Sequence, residues 1–417
     1  MGARAKPSKG CTDGNFLSEW FGHQVWPIVD NSALALADQT EEKCPFLSIA
    51  VGKVERCIKT IKGGDKRTSG VCVISSDSNG KRENWLACPH RILDEDFTLF
   101  KEAIQRVFEV KDACKIVIFS VEKIRTKACQ PDVAAALRDG KRVFVFTATR
   151  LGGEVDLPET DNSPGTKVDV SIIEVTACNH KGVPAEFGRF IFFEIQTADF
   201  HGSPLHAIKA LQTLHGHSRL NNNNFHDHLS NDVEMSGSGV EGPNKSNIFK
   251  RTFYQMALKM SIATDPQCAG FVLVIPASVW GSWKKHLGNP VLEPLPGDGK
   301  DKAILADSEI LSERGTGGKS WIFVFDIEAS SLHRPRPLVV KERISVSTTA
   351  LLEHAFTRAV SNVAANRVLD RFKGAFTARI LEPWGRDLKP KKSRKTADES
   401  SLPLKEEYIS EIVTDSN

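Results

Sequence analysis

The sequence predicts an α/β fold, one mixed sheet covered on its faces by helices, with a separate cysteine-rich module ahead of it. Two observations support this. From about Phe100 onward, short apolar runs alternate with segments of helical spacing, as in a sheet flanked by helices. From about Phe16 to Leu99 the chain is rich in Cys and Trp and poor in long periodic helices. That stretch reads as a compact, irregular module that is short of core and needs a staple.

The elements follow in order. Phe100 to Val110 has helical spacing, and Lys115 to Phe119 reads as a strand. Pro131 to Arg138 predicts a short helix, and Arg142 to Phe146 the next strand. Two further strands end near Asp169 and Gln196. Ser246 to Met260 predicts a helix with an aromatic face, Gly270–Ile275 and Trp321–Phe325 are buried strands, and Leu351 to Phe372 is a long amphipathic helix. Arg386 to Lys395 carries six basic residues and Glu399 to Asn417 is mostly acidic and polar; such blocks predict disorder. The expected domains are a disordered tail over 1–13, the cysteine-rich module over 14–100, the α/β domain over 101–385, and the basic-then-acidic tail over 386–417.

The bulk numbers exclude some classes. With 417 residues, 40% hydrophobic and 26% charged, the chain has ordinary soluble composition and length for two or three domains. No apolar stretch approaches the roughly 20 residues that span a bilayer. The polar, basic start Met1–Gly10 lacks the apolar region of a signal peptide. No membrane partner is expected, and the location expected is the cytoplasm. A net charge of +3 does not by itself argue for nucleic acid, although positive charge can be concentrated in one cleft. Nine cysteines, an odd number without a secretory signal, argue against a disulfide framework.

Two stretches carry chemistry. Lys167-Val168-Asp169-Val170 supplies one acid, and the apolar run Phe190–Phe193 leads into Glu194-Ile195-Gln196. On a strand, residues two apart share a face, so Glu194 and Gln196 point together while Ile195 turns to the core. An acid on one strand followed by acid-x-polar on the next is how PD-(D/E)xK nucleases hold Mg2+. A hard cation takes oxygen ligands, commonly one or two carboxylates completed by water and phosphate. Asp169 and Glu194 are the candidate Mg2+ ligands, with the Ile195 carbonyl a further one. Glu154, after Gly152-Gly153, is either a third site acid or a solvated loop residue.

Cys44, Cys57, Cys72 and Cys88 lack the paired C-x-x-C spacing of common zinc domains. Spacing alone fits four buried free thiols as well as a metal site. Cys44 and Cys88 are each followed by Pro, which suits a tight turn at a ligand. The other five cysteines read as plain residues. Asn244, Lys245, Asn247, Lys250 and Arg251 form a basic, amide-rich helix start after Gly242-Pro243. Asn and Arg suit base edges and Lys suits phosphates; a solvated helix face is the alternative. Asp199 and His201 lie just past the active strand.

Three patterns are set aside. Gly237–Gly242 matches GxGxxG but follows no strand, and Gly317-Gly318-Lys319-Ser320 lacks the first P-loop glycine, Glu313 standing there. His215, His217, His226 and His228 surround Asn221–Asn224 in what reads as a polar loop.

Longer phrases carry a resemblance. They are Trp20-Phe21-Gly22-His23, Cys44-Pro45-Phe46-Leu47, Leu151-Gly152-Gly153-Glu154, Thr197–Ser203, Glu241–Asn247 and Phe249–Met256. Together with the acid pattern, they resemble NotI-type restriction endonucleases of the PD-(D/E)xK superfamily, which cut rare GC-rich DNA sites. The resemblance is scattered from about Phe16 to Trp384 and densest over 151–203 and 241–283. It implies a restriction-endonuclease-like core and a bacterial type II enzyme acting with Mg2+. The substrate would be a palindromic, GC-rich duplex with a CGGCCG-like core, bound by a homodimer. It implies catalytic roles for Glu154, Asp169, Glu194 and Gln196, the last an amide where the superfamily pattern has Lys. It also implies one structural iron on Cys44, Cys57, Cys72 and Cys88, although four-sulfur coordination suits zinc equally. Two rival readings are a non-catalytic DNA-binding protein that uses the four-cysteine module as its reader, and a repair or modification-dependent nuclease on the same fold.

Overall fold

A computed structural model of the chain describes residues 14–30, 32–60, 68–78, 81–126, 129–159, 161, 165–201, 204–220, 240–309, 319–328 and 335–358. The chain divides into two compact units, Met1–Asn362 and Val363–Asn417, and every described residue belongs to the first. The expected tails over 1–13 and 386–417, most of the basic run Lys59–Arg67, and His226 and His228 lie outside the described residues.

The first hundred residues fold around a four-stranded antiparallel sheet. It is built from β1 (Asn15–Trp20), β2 (His23–Gln24), β3 (Val71–Ser78) and β4 (Lys81–Leu86), in the order β2-β1-β3-β4. Two helices sit between β2 and β3. The Ser32 side chain caps α1 (Ala33–Thr40), and α2 (Pro45–Val51) stops at Gly52, whose φ of 79° gives the left-handed turn that ends a helix. The module is not short of core, contrary to expectation. Leu17, Trp20, Phe21, Val71 and Ile74 pack together in it with Ala207, Ile208 and Leu211 of a later helix. Aromatic and β-branched residues on short strands fill this core without long helical periodicity, which is why the periodicity missed it.

The larger layer follows, with α3 (Thr98–Val107), β5 (Ile116–Ser120), α4 (Val121–Arg125), α5 (Gln130–Arg138) and β6 (Arg142–Ala148). A small hairpin of β7 (Val155–Leu157) and β8 (Thr166–Val168) precedes β9 (Val170–Cys178) and β10 (Pro184–Ile195). Then come α6 (Leu205–Leu220), α7 (Lys245–Ile262), β11 (Cys268–Pro276) and α8 (Ala277–His286). The series closes with β12 (Glu293–Pro294), β13 (Asp301–Ile304), β14 (Ser320–Ile327), β15 (Leu338–Val346) and α9 (Thr348–Leu352). The helix expected over Leu351–Phe372 starts at Thr348 and continues past α9 as a π-helical turn to Arg358; its remainder lies outside the described residues.

Nine strands form one mixed sheet in the order β12-β13-β15-β14-β11-β10-β9-β6-β5. β11 runs parallel to both neighbours, β10 and β14, and all nine of its residues are buried, as expected for a strand covered on both faces. Alternate side chains divide between two layers. Phe193, Val272, Val274 and Phe323 face α3 through Leu99, Phe100 and Ala103. Phe192, Phe271, Leu273 and Val324 face α7 and α8 through Ile248, Met256, Val279 and Trp283. Glu194, two residues beyond Phe192, therefore points toward α7.

The boundary expected at residue 100 separates the two sheets but not their packing. Phe46, Leu47 and Val73 share a core cluster with Phe100, Phe146 and Phe193. One buried ion cluster joins the layers as well. The Glu19 carboxylate on β1 accepts from Arg91 Nε at 2.6 Å and from Arg336 Nε, just before β15, at 2.8 Å. Burial works against this carboxylate, but the two guanidiniums outweigh it and hold its pKa below the ordinary value. A depressed folded-state pKa stabilises the fold above the ordinary carboxylate range, and the contribution is lost as pH falls through the folded value. Glu19→Gln removes the counter-charge of two buried guanidiniums and is expected to cost about 3–5 kcal/mol. Urea unfolding at neutral pH measures it, and a loss below about 1 kcal/mol, the range of an exposed pair, would contradict the bridging role.

Candidate functional site

The candidate site forms at the end of β10. In the antiparallel register Phe193 pairs with Val170, so the next position along sets Glu194 opposite Asp169. Asp169 occupies the bend between β8 and β9, and its Oδ2 accepts from the Ile195 amide at 2.8 Å. On the other side β10 is parallel to β11, and the Gln196 amide donates to the Val274 carbonyl at 2.9 Å. Two acids 25 residues apart in sequence, as 194 and 169 are numbered, thus become cross-strand neighbours. The apolar residues beside each of them hold the register, since a one-residue slip would turn Phe193 and Val170 out of the core.

Burial decides the electrostatics. Glu194 is 4% exposed. Burial raises its pKa most, Asp169 and Glu154 add to the rise, Lys259 opposes it, and the result is about 7. The Asp169 pKa is also raised, chiefly by burial and further by Glu154, against the stabilising Ile195 amide and the Lys259 charge. Two buried carboxylates whose proton affinity is raised by neighbouring acids have a matching affinity for a cation. Among the described residues, no hydrogen bond reaches Asp169 Oδ1 or Glu194 Oε1, so each acid has an oxygen available to a ligand.

Glu154 stands at the exposed rim of the same cleft, where its carboxylate accepts from the Thr149 hydroxyl. It is delivered by the tight turn after β6, where Gly152 and Gly153 take φ of 96° and 95°, angles that side chains with a Cβ rarely adopt. Pro89, His90, Ile92 and Leu93 form the opposite wall of the cleft. Gln196 lies just past the strand, with both ends of its amide engaged: the Thr252 hydroxyl donates to its oxygen, and its nitrogen donates to the Thr197 carbonyl.

A cation completes the site. Lys259, on α7, is 1% exposed and its Nζ donates to Glu194 Oε2. Sequence reading missed it, because a lysine on a helix is ordinarily assigned to the solvent face. A signal was present nonetheless: Ile248, Thr252, Met256, Lys259 and Ala263 recur at helical spacing, and all five are buried.

The residues expected to read DNA take several roles. The Asn244 side chain caps α7 by accepting from the Asn247 amide at 3.2 Å, and Lys245 lies over the Trp85 ring at 5.3 Å. Asn247 Nδ2 and Arg251 both donate to Asp199 at 2.8 Å. The Arg251 side chain is 62% exposed, and a pair so open to water is weak, so a phosphate or base edge can compete for it. Lys250 is exposed. The first half of α7 therefore presents Asn247, Lys250 and Arg251 outward, while its inner face reaches Gln196 through Thr252 and, in the last turn, Glu194 through Lys259. His201 is exposed, and its amide donates to the Gly242 carbonyl at 3.2 Å.

The four cysteines gather in the first module. All are free thiols. Cys44 caps α2, Cys72 lies on β3, Cys88 precedes the short 3-10 turn Pro89–Ile92, and the Cys88 amide donates to the Cys72 carbonyl at 3.3 Å. Burial raises the pKa of each first of all, and Cys44, Cys57 and Cys72 are raised further by the charge of Cys88. Such thiols stay neutral without a cation and lose protons to a bound metal. The Leu47 amide donates to Cys44 Sγ at 3.5 Å, and nearby backbone amides lower the thiol pKa of Cys44, Cys57 and Cys88 against the effect of burial. That donor set fits thiolates. Among the described residues, however, no three His, Cys, Asp or Glu groups are already spaced as a metal shell.

Of the four histidines read as a polar loop, His215 lies in α6, buried, with its ring edge-on to Trp20 at 5.9 Å. No helix among the described residues is long and apolar enough to cross a membrane. In sequence comparisons no protein-family model matches the chain, and no curated protein matches it.

Proposed function

We propose that the chain is a Mg2+-dependent DNA endonuclease of the NotI type, acting on a palindromic, GC-rich duplex. The observation that carries the reading is the cross-strand pairing of Asp169 and Glu194 at the end of a buried strand, with Gln196 following. Mg2+ at such a site would polarise the phosphate and lower the pKa of the attacking water. Asp169 and Glu194 would hold it, with the Ile195 carbonyl as a further oxygen ligand. Gln196, its amide fixed by Thr252, orients the water or phosphate and supplies neither a proton nor a full charge. Glu154 at the rim positions water. Lys250 engages the backbone of the duplex, and Arg251 and Asn247 exchange Asp199 for base edges or phosphates. A palindromic site calls for a two-fold dimer, each subunit cutting one strand. Reading several base pairs at roughly 1–3 kcal/mol per mismatch supplies the discrimination. A cytoplasmic location belongs to the same proposal.

The first test is cleavage of GC-rich plasmid DNA with Mg2+, followed by sequencing of the ends. Asp169→Ala and Glu194→Ala are expected to abolish cutting while leaving specific DNA binding in Ca2+ largely intact. Cutting by Asp169→Ala at the wild-type rate would overturn the assignment.

The reading also gives Cys44, Cys57, Cys72 and Cys88 one structural metal, iron or zinc, with no open ligand position for chemistry. Purified protein is expected to contain one such metal per chain, and an iron site would be red. Cys72→Ser is expected to lower the metal content and the yield of soluble protein together, since a structural metal contributes folding free energy. Four thiols that titrate freely in native protein devoid of transition metal would contradict it.

A further inference from the structure

The buried Lys259–Glu194 ion pair, next to cleft residues Asp169 and Ile195, bears on how the site would take up metal. Lys259 reaches Glu194 from α7 through a wholly buried side chain, with Met256 and Met260 beside it on the same helix. An ammonium ion held in such surroundings has few alternatives: any departure from Glu194 must keep it hydrogen-bonded within the cleft or leave it unpaired. Glu154, Asp169 and Glu194 are all close enough to influence one another, with Glu194 feeling both other acids as well as Lys259.

We propose that Lys259 is the resident cation of this pocket. It holds the Glu194 carboxylate until a divalent ion takes it, and so sets the concentration of metal at which the site fills. The inference rests on reading Asp169 and Glu194 as metal ligands. Lys259 is a positioning residue in this scheme: it acts through Glu194, keeping the carboxylate folded into the site and charge-balanced before metal arrives. Uptake is an exchange in which the N–H···O bond to Oε2 lengthens or breaks as the oxygen turns to the ion, and no proton changes hands.

The competition has a sign that a merely structural lysine would not produce. A packing defect loosens a site and weakens metal binding. Removing a competing cation tightens it. A single opposite charge at contact changes a carboxylate's affinity for a proton by about ten- to a thousandfold, and the same field acts on a divalent ion.

The test counts free Mn2+ by electron paramagnetic resonance in titrations of the full chain without DNA. It is run at about pH 8.5, above the ordinary carboxylate range. Lys259→Met is expected to bind Mn2+ at least about tenfold more tightly than wild type. Lys259→Gln, which keeps a hydrogen-bond donor toward Glu194 and removes the charge, covers the case in which the methionine variant does not fold and is expected to tighten binding likewise. Glu194→Gln is expected to weaken it. A folded Lys259→Met or Lys259→Gln that binds Mn2+ no more tightly than wild type, while wild type binds and Glu194→Gln does not, overturns the resident-cation role alone. Wild type that takes up no Mn2+ in the cleft, with Asp169→Asn indistinguishable from it, overturns the metal-site reading itself and this inference with it.

Discussion

Burying the Glu194 carboxylate at 4% exposure is the constraint from which the surrounding contacts follow, because an ionised carboxylate cannot be left alone in an apolar core. Each neighbouring element answers it. β9 brings Asp169 level with it across the ladder, and β11 fixes the chain beyond it through the Val274 carbonyl. α7 supplies Lys259 to the carboxylate and Thr252 to Gln196. Positions 252 and 259 are two helical turns apart and so lie on one stripe. The helix therefore contacts positions 196 and 194 as it runs back along the strand end. A pair of this kind adds little net stability over an apolar core, because desolvation offsets the attraction. The same sheet holds a second buried pair, Asp301–Arg343; the Glu194 pair differs in standing at the end of β10, with Asp169 across from it beside the cleft.

The cysteine module is part of the same construction. The segment from Cys88 continues directly into Pro89, His90, Ile92 and Leu93, which wall the cleft opposite Glu154. His90 bridges the two sites: its Nδ1 lies 3.8 Å from Cys88 Sγ and its Nε2 contacts the Thr149 carbonyl at 3.2 Å. Thr149 in turn holds Glu154 through its hydroxyl. Just upstream, the Leu86 carbonyl accepts from the Ala198 amide at 2.7 Å, stitching β4 to the exit of the active strand. Order at the four cysteines is thus transmitted to both sides of the carboxylate pocket by short, direct contacts. A metal that tightened the thiols would tighten the wall.

Legibility in the sequence followed the range of the interactions. The apolar runs at Phe190–Phe193 and Gly270–Ile275 predicted buried strands because a strand covered on both faces must be apolar; β11 is buried throughout, and β10 is buried near its end, over Ile191–Glu194. The carboxylates at 169 and 194 stood out because acids at the ends of apolar runs are unusual, and the register sets them side by side. Lys259 did not stand out, since nothing local distinguishes a lysine aimed at a buried acid from one aimed at water. Asp199 was noticed, but its grip on Asn247 and Arg251 was not, because it joins positions 48 and 52 residues apart. The first module was read as irregular. Its sheet is made of short strands, of which β1 and most of β3 are buried on both faces, leaving neither the period of a helix nor the alternation of a half-buried strand.

The most direct test of this account is the anomalous diffraction of crystals soaked in Mn2+ without DNA. The account predicts a peak bounded by Asp169 and Glu194, with the Lys259 ammonium drawn away from Glu194 Oε2 where the ion is bound. A cleft with no peak, the Lys259–Glu194 pair intact and manganese bound elsewhere, would contradict it.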